Sequence, residues 1–192
     1  MGIGVEIISF FNRSVNLTFG DINGLRMLEL GDQKLHANIW VKGKERVWAK
    51  DYFEMRGCHH YSIDWHGQNG AYPLDLAKVI TDTFWLGRFD IVTNFGTAEH
   101  VENQYTCWRN IHNFGRQGSI YIHVLPEVNR YPKKHCKYFF DKSFFENLVR
   151  TNGYTPLLSE RIESIGHWGA SYIKSSNRRF MLNERKFLSW IK

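Results

Sequence analysis

The sequence has few cysteines and no long apolar run. Its three cysteines, Cys58, Cys107 and Cys136, include no Cys-x-x-Cys pair and cannot all be joined within one chain. Reduced thiols of an intracellular protein are therefore expected. No stretch approaches the roughly 20 apolar residues that cross a bilayer, and the first residues lack the basic region of a secretory signal. We therefore expect a soluble, cytoplasmic protein that does not enter a membrane.

Signatures of several common activities are also missing. There is no P-loop, no Gly-x-Ser-x-Gly elbow and no complete Gly-x-Gly-x-x-Gly turn. Segments 58–60 and 135–136 contain residue types that bind metals. However, adjacent residues of a strand point to opposite faces, and no zinc-ligand spacing occurs. No metal site is predicted.

Composition favours one globular domain that spans residues 1–192. Of its residues, 43% are hydrophobic and 16% are aromatic, which is enough for a substantial core. The formal charge of +6 permits an anionic partner such as RNA. It does not require one, because the lysines and arginines are scattered and a solvated face explains each short group.

The order of apolar patterns predicts strands that alternate with helices. Alternation of this kind is typical of an α/β domain with a mostly parallel sheet and right-handed crossovers. The predicted strands are residues 25–30, 58–64, 71–76, 89–95 and 119–125, followed by a closing hairpin of 154–162 and 168–173. The predicted helices are 40–55 with a break at Gly43, 76–86, 98–114 and 142–152. Residues 1–24 are expected to form an accessory N-terminal cap.

The segment 89–101 is the most informative part of the chain. Ile91, Val92 and Phe95 suit a buried strand, and polar residues follow where this strand ends, including Asn94, Glu99 and His100. In open α/β sheets, ligands bind outside the carboxyl ends of the strands. We therefore expect a ligand site there.

Residues 25–174 resemble the class I S-adenosylmethionine-dependent methyltransferases in the order and spacing of their elements. The resemblance is strongest at residues 28–31 (Leu-Glu-Leu-Gly), at Ile63 and Asp64, and at 89–101. The last of these looks like a subgroup with the pattern Thr-Asn-Phe-Gly-Thr-x-Glu-His. The resemblance implies a Rossmann-like, three-layer sandwich whose seven-stranded sheet is mostly parallel, with the last strand antiparallel.

The resemblance also implies an activity. This is transfer of a methyl group from S-adenosylmethionine to an oxygen or nitrogen of a small-molecule or carbohydrate-like acceptor. One departure from the family pattern motivates an alternative, since the usual glycine-rich turn is reduced to Gly31 and the interval from Gly31 to Asp64 is long. In the alternative, the fold is kept without catalysis and binds an anionic partner such as RNA.

The cofactor-binding candidates combine physical reasoning with this resemblance. A carboxylate at a strand end accepts two hydrogen bonds from ribose hydroxyls, which suits Asp64; the alternative, which we favour less, is that Asp64 only caps the next turn. Asp75 matches an acceptor for the adenine amine or, alternatively, a helix N-cap. Gly31 lets backbone approach the methionine end of the cofactor. The remaining candidates are Glu29 for the amino group, Asn94, and Phe95 or Trp65 beside the adenine.

His100 and Glu99 are the catalytic candidates. Histidine titrates in the range useful for removing a proton from an acceptor, and a neighbouring carboxylate can orient it. The alternative interpretation is that both residues simply begin a helix, where glutamate favours the positive end of the dipole. The loop 127–135 and the N-terminal segment are expected to close over the acceptor. His123 is interpreted as a second pocket residue or a satisfied buried histidine.

Overall fold

The computed structural model describes residues 2–36 and 47–192. Its strands, in chain order, are β1 (Gly2–Ile3), β2 (Arg26–Leu30), β3 (Lys34–Leu35), β4 (His59–Asp64), β5 (Tyr72–Pro73), β6 (Phe89–Phe95), β7 (Gly115–Pro126), β8 (Thr155–Ile162) and β9 (His167–Ile173). Its α-helices are α1 (Val5–Asn16), α2 (Ala49–Met55), α3 (Gln104–Phe114), α4 (Lys142–Asn152) and α5 (Glu184–Leu188).

Seven strands form one sheet in the order β5-β4-β2-β6-β7-β9-β8, and β1 pairs with β3 separately. The pairs from β5 to β7 are parallel, whereas β9 runs antiparallel to both of its neighbours. This arrangement confirms the predicted mixed sheet with an antiparallel last strand. The order reverses between β2 and β6, because the chain builds outward from β2 to β5 and then from β6 to the other edge.

Alternating side chains in the central strands feed two separate cores. Leu28 and Val92 belong to the core on one face, whereas Met27 and Ile91 belong to the core on the other. This follows from the two-residue period of a strand, which sends neighbours to opposite faces. Because both faces are covered, β6 is buried along its whole length, as expected of a parallel strand between helices.

Helices cover both faces and complete the three layers. Phe10 and Phe11 of α1 and Phe53 of α2 pack in one core, and Trp108 of α3 and Phe144 of α4 pack in the other. Helix α4 begins at the predicted residue, where the Asp141 side chain accepts a hydrogen bond from the Phe144 backbone N–H, as an N-cap does.

Residues 76–86 contain no helix, so the helix predicted there is wrong. The segment is a series of turns, and the side chain of Asn110 takes the place of helical hydrogen bonds. Its Nδ2 donates to the carbonyl oxygens of Leu76 and Lys78, and its Oδ1 accepts from the Ile80 N–H. Buried backbone groups must find partners, and a tertiary contact supplies them here.

The helix predicted over 98–114 is interrupted. Residues Ala98–His100 form a 3₁₀ turn, and α3 begins only after Asn103, whose side chain accepts from the Thr106 N–H. In the predicted helix 40–55, residues 49–55 form α2, and Gly43 lies outside the described residues. The closing hairpin is confirmed, with β8 and β9 paired antiparallel. No described helix is long and apolar enough to span a bilayer.

Candidate functional site

A cavity of about 680 Å³ opens at the carboxyl ends of the parallel strands. Residues that follow β2, β4, β5, β6 and β7 line it, so it lies at the point where the strand order reverses. Cavities of a few hundred Å³ at such a switch point are the usual ligand sites of open α/β sheets. Among the predicted site residues, those that line the cavity are Gly31, Asp64, Trp65, Asp75 and His100.

Gly31 forms the turn after β2 with a φ of +86°, a region that favours glycine. A Cβ added there would lie 2.6 Å from Thr97 Oγ1 and 2.7 Å from Gln33 Nε2. Thr97 Oγ1 also donates to the Leu30 carbonyl oxygen at 2.7 Å, which ties the loop after β6 to the end of β2. Gly31 itself lines the cavity, so the reduced glycine turn still brings backbone without a side chain to it.

Asp64 ends β4 with its carboxylate held by backbone. Its Oδ2 accepts from the Asp32 N–H at 3.2 Å and its Oδ1 accepts from the His66 N–H at 2.9 Å. A carboxylate has about four lone-pair sites, so these two bonds fix its orientation and leave capacity for a ligand. Both of the roles predicted for Asp64, turn cap and cavity acceptor, are compatible with this geometry.

Two further predicted residues stand on the same side of the cavity. Asp75 Oδ1 accepts from the Ala77 N–H at 2.9 Å, and its Oδ2 lies 3.2 Å from Lys78 Nζ. Asp75 therefore caps a turn, whereas the alternative predicted for it was a helix N-cap. Trp65 is 75% exposed, an unusual state for so large an apolar side chain. It offers an aromatic face at the cavity wall.

Three predicted cofactor residues do not line the cavity. Phe95 packs in the core of the α1 and α2 face, and Asn94 is fully buried. Asn94 Oδ1 accepts from the backbone N–H groups of Thr97 and Ala98, so this side chain shapes the loop above the cavity. Glu29 is buried, with its Oε2 3.2 Å from His60 Nε2, and burial raises the pKa of this carboxyl.

Glu99 precedes His100 in the turn after β6 and is fully buried. Neither carboxyl oxygen of Glu99 has a hydrogen-bond partner among the described residues, and its Oε1 lies 3.8 Å from His100 Nε2. Burial raises the pKa of Glu99 to about 8 and lowers the pKa of the His100 imidazole, because desolvation disfavours the charged form of each group. At neutral pH both side chains are therefore uncharged.

The structure adds two cavity residues to which the sequence pattern assigned no specific role. His135, in the segment after β7, has its ring centroid 5.4 Å from that of His100. Gln33 lines the cavity with a buried Oε1 that has no partner among the described residues. No periodic pattern marks either residue, although His135 ends the loop that was expected to close over the acceptor. His123 lies in the core, where its Nε2 is 2.8 Å from the Tyr172 hydroxyl, and it does not line the cavity.

Comparison with known proteins gives a likeness of fold. No model of a known protein family matches the sequence, and no curated protein matches it. Solved structures do match. One is the 1,6-didemethyltoxoflavin-N1-methyltransferase of Burkholderia thailandensis, with bound 1,6-didemethyltoxoflavin and S-adenosylhomocysteine. Its TM-score is 0.59 at 14% identity, over 90% of this chain and 79% of that one.

Two other solved structures agree with it. The N-methyltransferase NodS of Bradyrhizobium japonicum, in complex with S-adenosylhomocysteine, has a TM-score of 0.57 at 11% identity, over 88% of this chain and 86% of that one. An S-adenosylmethionine-dependent methyltransferase of Mesorhizobium loti has a TM-score of 0.54 at 13% identity, over 80% and 92%. The subgroup pattern at residues 93–100 stays a prediction. The chain has the Rossmann-like fold of the S-adenosylmethionine-dependent methyltransferases.

Proposed function

We propose that this protein binds S-adenosylmethionine in the cavity and transfers its methyl group to an oxygen or nitrogen of a small or carbohydrate-like molecule. The observation that carries the proposal is the Asp64 carboxylate, which backbone N–H groups hold at the end of β4. It lies beside the turn at Gly31, where there is no room for a Cβ. Strand-end acceptors and bare backbone at a switch point are what a nucleoside with a charged tail requires.

In this proposal, each cavity residue contacts a different part of the cofactor. Asp64 accepts hydrogen bonds from the ribose hydroxyls, Asp75 accepts from the adenine amine, and Trp65 lies against the adenine ring. Gly31 admits the methionine end, and the unpartnered Gln33 Oε1 accepts from its ammonium group. Glu29, Asn94 and Phe95 do not touch the cofactor in this proposal. They are buried and support the turns that form the cavity wall.

His100 is the proposed general base, and Glu99 orients it. When bound, the cofactor supplies an electrophilic methyl carbon on its sulfonium sulfur. The chain therefore has to align the acceptor and, for an acceptor that carries a proton, to remove that proton. The neutral imidazole of His100 is in the protonation state needed for this task. It is also half exposed at the cavity wall, within reach of an acceptor.

Calorimetric titration with S-adenosylhomocysteine tests the cofactor site. We expect Asp64→Asn to weaken binding by about 1–3 kcal/mol, the range for lost hydrogen bonds to a charged group. Asp21→Asn is the matched control, because Asp21 precedes β2 and so lies at the opposite ends of the strands. Equal affinity in all three proteins would remove Asp64 from the site. Absence of binding to the unmodified protein would favour the non-catalytic alternative.

A further inference from the structure

Beyond the cofactor site, the cavity has a second end that is built from different residues. His100 follows β6, and His135 follows β7, on the opposite side of Gly31 from Asp64, Trp65 and Asp75. The two imidazole rings meet edge to face, with their centroids 5.4 Å apart and their planes 66° apart. If the adenosine lies against Asp64, as proposed above, this histidine end faces the acceptor.

Among the described residues that line it, the histidine end has no lysine or arginine and no unpaired carboxylate. Burial and the neighbouring His135 lower the pKa of His100, and burial keeps Glu99 protonated at neutral pH. Glu102, an exposed carboxylate that also lines the cavity, is paired with Lys137 Nζ at 3.1 Å. An ammonium or a carboxylate would find no unpaired side chain of opposite charge here, although a desolvated charge needs a partner.

The position of His135 is set by a chain of aromatic contacts. The Tyr131 ring lies edge to face with both His135 and His167, at centroid distances of 5.1 Å and 4.7 Å. His167 is in turn held by its Nδ1, which lies 2.6 Å from the Ile165 carbonyl oxygen. The segment after β7 is thereby fixed to the turn of the closing hairpin. No group of three His, Cys, Asp or Glu side chains in the described ranges is arranged to hold a metal ion.

We propose, on the basis of the function proposed above, that the acceptor is a neutral hydroxyl group held between His100 and His135. A hydroxyl suits a pair of imidazoles, because the unprotonated ring nitrogen of His100 can accept its proton while a ring N–H of His135 donates to the oxygen. A carboxylate acceptor needs no base, and an amine is held as a cation at neutral pH. A hydroxyl is neutral and also needs a base.

The transfer then balances without a further reactant. The acceptor oxygen forms a bond to the methyl carbon as the carbon–sulfur bond breaks, and that electron pair stays on sulfur. The hydroxyl proton passes to the unprotonated ring nitrogen of His100, which becomes imidazolium. The products are a methyl ether and a neutral thioether. His135 orients the acceptor oxygen and remains unchanged.

The test uses the full chain, methyl-labelled S-adenosylmethionine and fractionated cell extract, with the type of linkage determined in every labelled fraction. We expect label that resists mild alkali and is released as methyl iodide by hydriodic acid, under conditions that leave N-methyl groups intact. We also expect His135→Asn to lower the initial labelling rate at least tenfold with S-adenosylhomocysteine affinity unchanged within twofold. The control His59→Asn alters an exposed histidine at the far end of β4 and should keep the full rate.

Each other result decides against a named claim. Label released as methanol by mild alkali would identify a carboxylate acceptor, and label retained as N-methyl would identify an amine. Either would overturn the hydroxyl proposal. Cofactor binding without labelling of any fraction would also overturn it and leave the cofactor site standing. Failure to bind S-adenosylhomocysteine would instead overturn the proposed function itself.

Discussion

At the scale of single residues, the site depends on positions where one additional carbon atom would not fit. Gly31 is the clearest case, because its backbone is in the left-handed region and two side chains crowd the place of a Cβ. Gly24 has a similar φ of +73°, but nothing lies within 4 Å of the place that a Cβ would occupy there. The two glycines therefore separate the effect of backbone strain from the effect of crowding.

We expect Gly31→Ala to destabilise the fold by more than Gly24→Ala. Both substitutions carry the left-handed backbone cost of about 1–2 kcal/mol, and Gly31→Ala adds a clash with Thr97 and Gln33. Urea unfolding of both variants measures the difference. Gly31→Ala should also weaken binding of S-adenosylhomocysteine, and Gly24→Ala should not. Equal destabilisation would mean that the loop around Thr97 moves aside for the added Cβ without a measurable cost in stability.

At the scale of elements, local pattern and tertiary contact compete, and segment 76–86 shows which of them decides. Leu76, Ile80 and Trp85 have a spacing that is compatible with a helix and are buried. The backbone nevertheless forms turns, because Asn110 of α3 supplies three hydrogen bonds to it. The wall of the cavity at Asp75 and Lys78 therefore depends on a side chain about thirty residues away in sequence.

We expect Asn110→Ala to lower the free energy of unfolding by about 1–3 kcal/mol, because it leaves buried backbone groups without partners. Asn113→Ala, on the same helix at a less buried position, is the matched control and should change stability by no more than about 0.5 kcal/mol. Denaturant midpoints compare the two variants. A midpoint for Asn110→Ala equal to that of the control would show that the turns are stable without the hydrogen bonds of Asn110.

The parts of the fold that were predicted correctly are those fixed by local pattern. The strand patterns of β2, β4 and β6, the start of α4 at Lys142 and the closing hairpin of β8 and β9 all lie within a few residues of the signal that marks them. Burial of Asn94 and Glu99 was not visible, because a residue at or just beyond a strand end faces the cavity or the core according to the twist of the sheet and the path of the loop. The closeness of His135 and His100 depends on the segment after β7, which no periodicity describes.

At the scale of the whole molecule, buried titratable groups link stability to pH. His112 and His123 are buried, and burial lowers their pKa to about 4 and about 3. In the unfolded chain these histidines bind protons below about pH 6.5, whereas in the folded protein they stay neutral down to about pH 4. The free energy of unfolding therefore decreases as pH falls below about 6.5. Glu99 acts in the opposite direction. It keeps its proton in the folded protein up to about pH 8, whereas the unfolded chain releases it near pH 4.5.

Glu99 should therefore make the protein less stable as pH rises from about 4.5 to about 8. Between pH 6.5 and 8 the two histidines are neutral in both states, so this effect is best isolated there. The slope due to one such group is at most about 1.4 kcal/mol per pH unit. We expect Glu99→Gln to gain stability relative to the unmodified protein across that window, measured by urea unfolding at several pH values.

Glu102→Gln is the control for that experiment, because the Glu102 side chain is exposed whereas that of Glu99 is buried. Its stability should run parallel to that of the unmodified protein. A Glu99→Gln curve that also stays parallel would mean that Glu99 is ionised in the folded state. The proposal that the histidine end of the cavity holds a neutral acceptor would then lose one of the observations that support it.

The central claim is that the cavity at the carboxyl ends of β2, β4 and β6 holds S-adenosylmethionine, and a crystal structure with S-adenosylhomocysteine tests it most directly. We expect ribose oxygens within hydrogen-bond distance of Asp64, adenine against Trp65 and beside Asp75, and the sulfur on the side of the cavity that His100 occupies. A ligand bound elsewhere, or a cavity that stays empty of the ligand at saturating concentration, would contradict the claim.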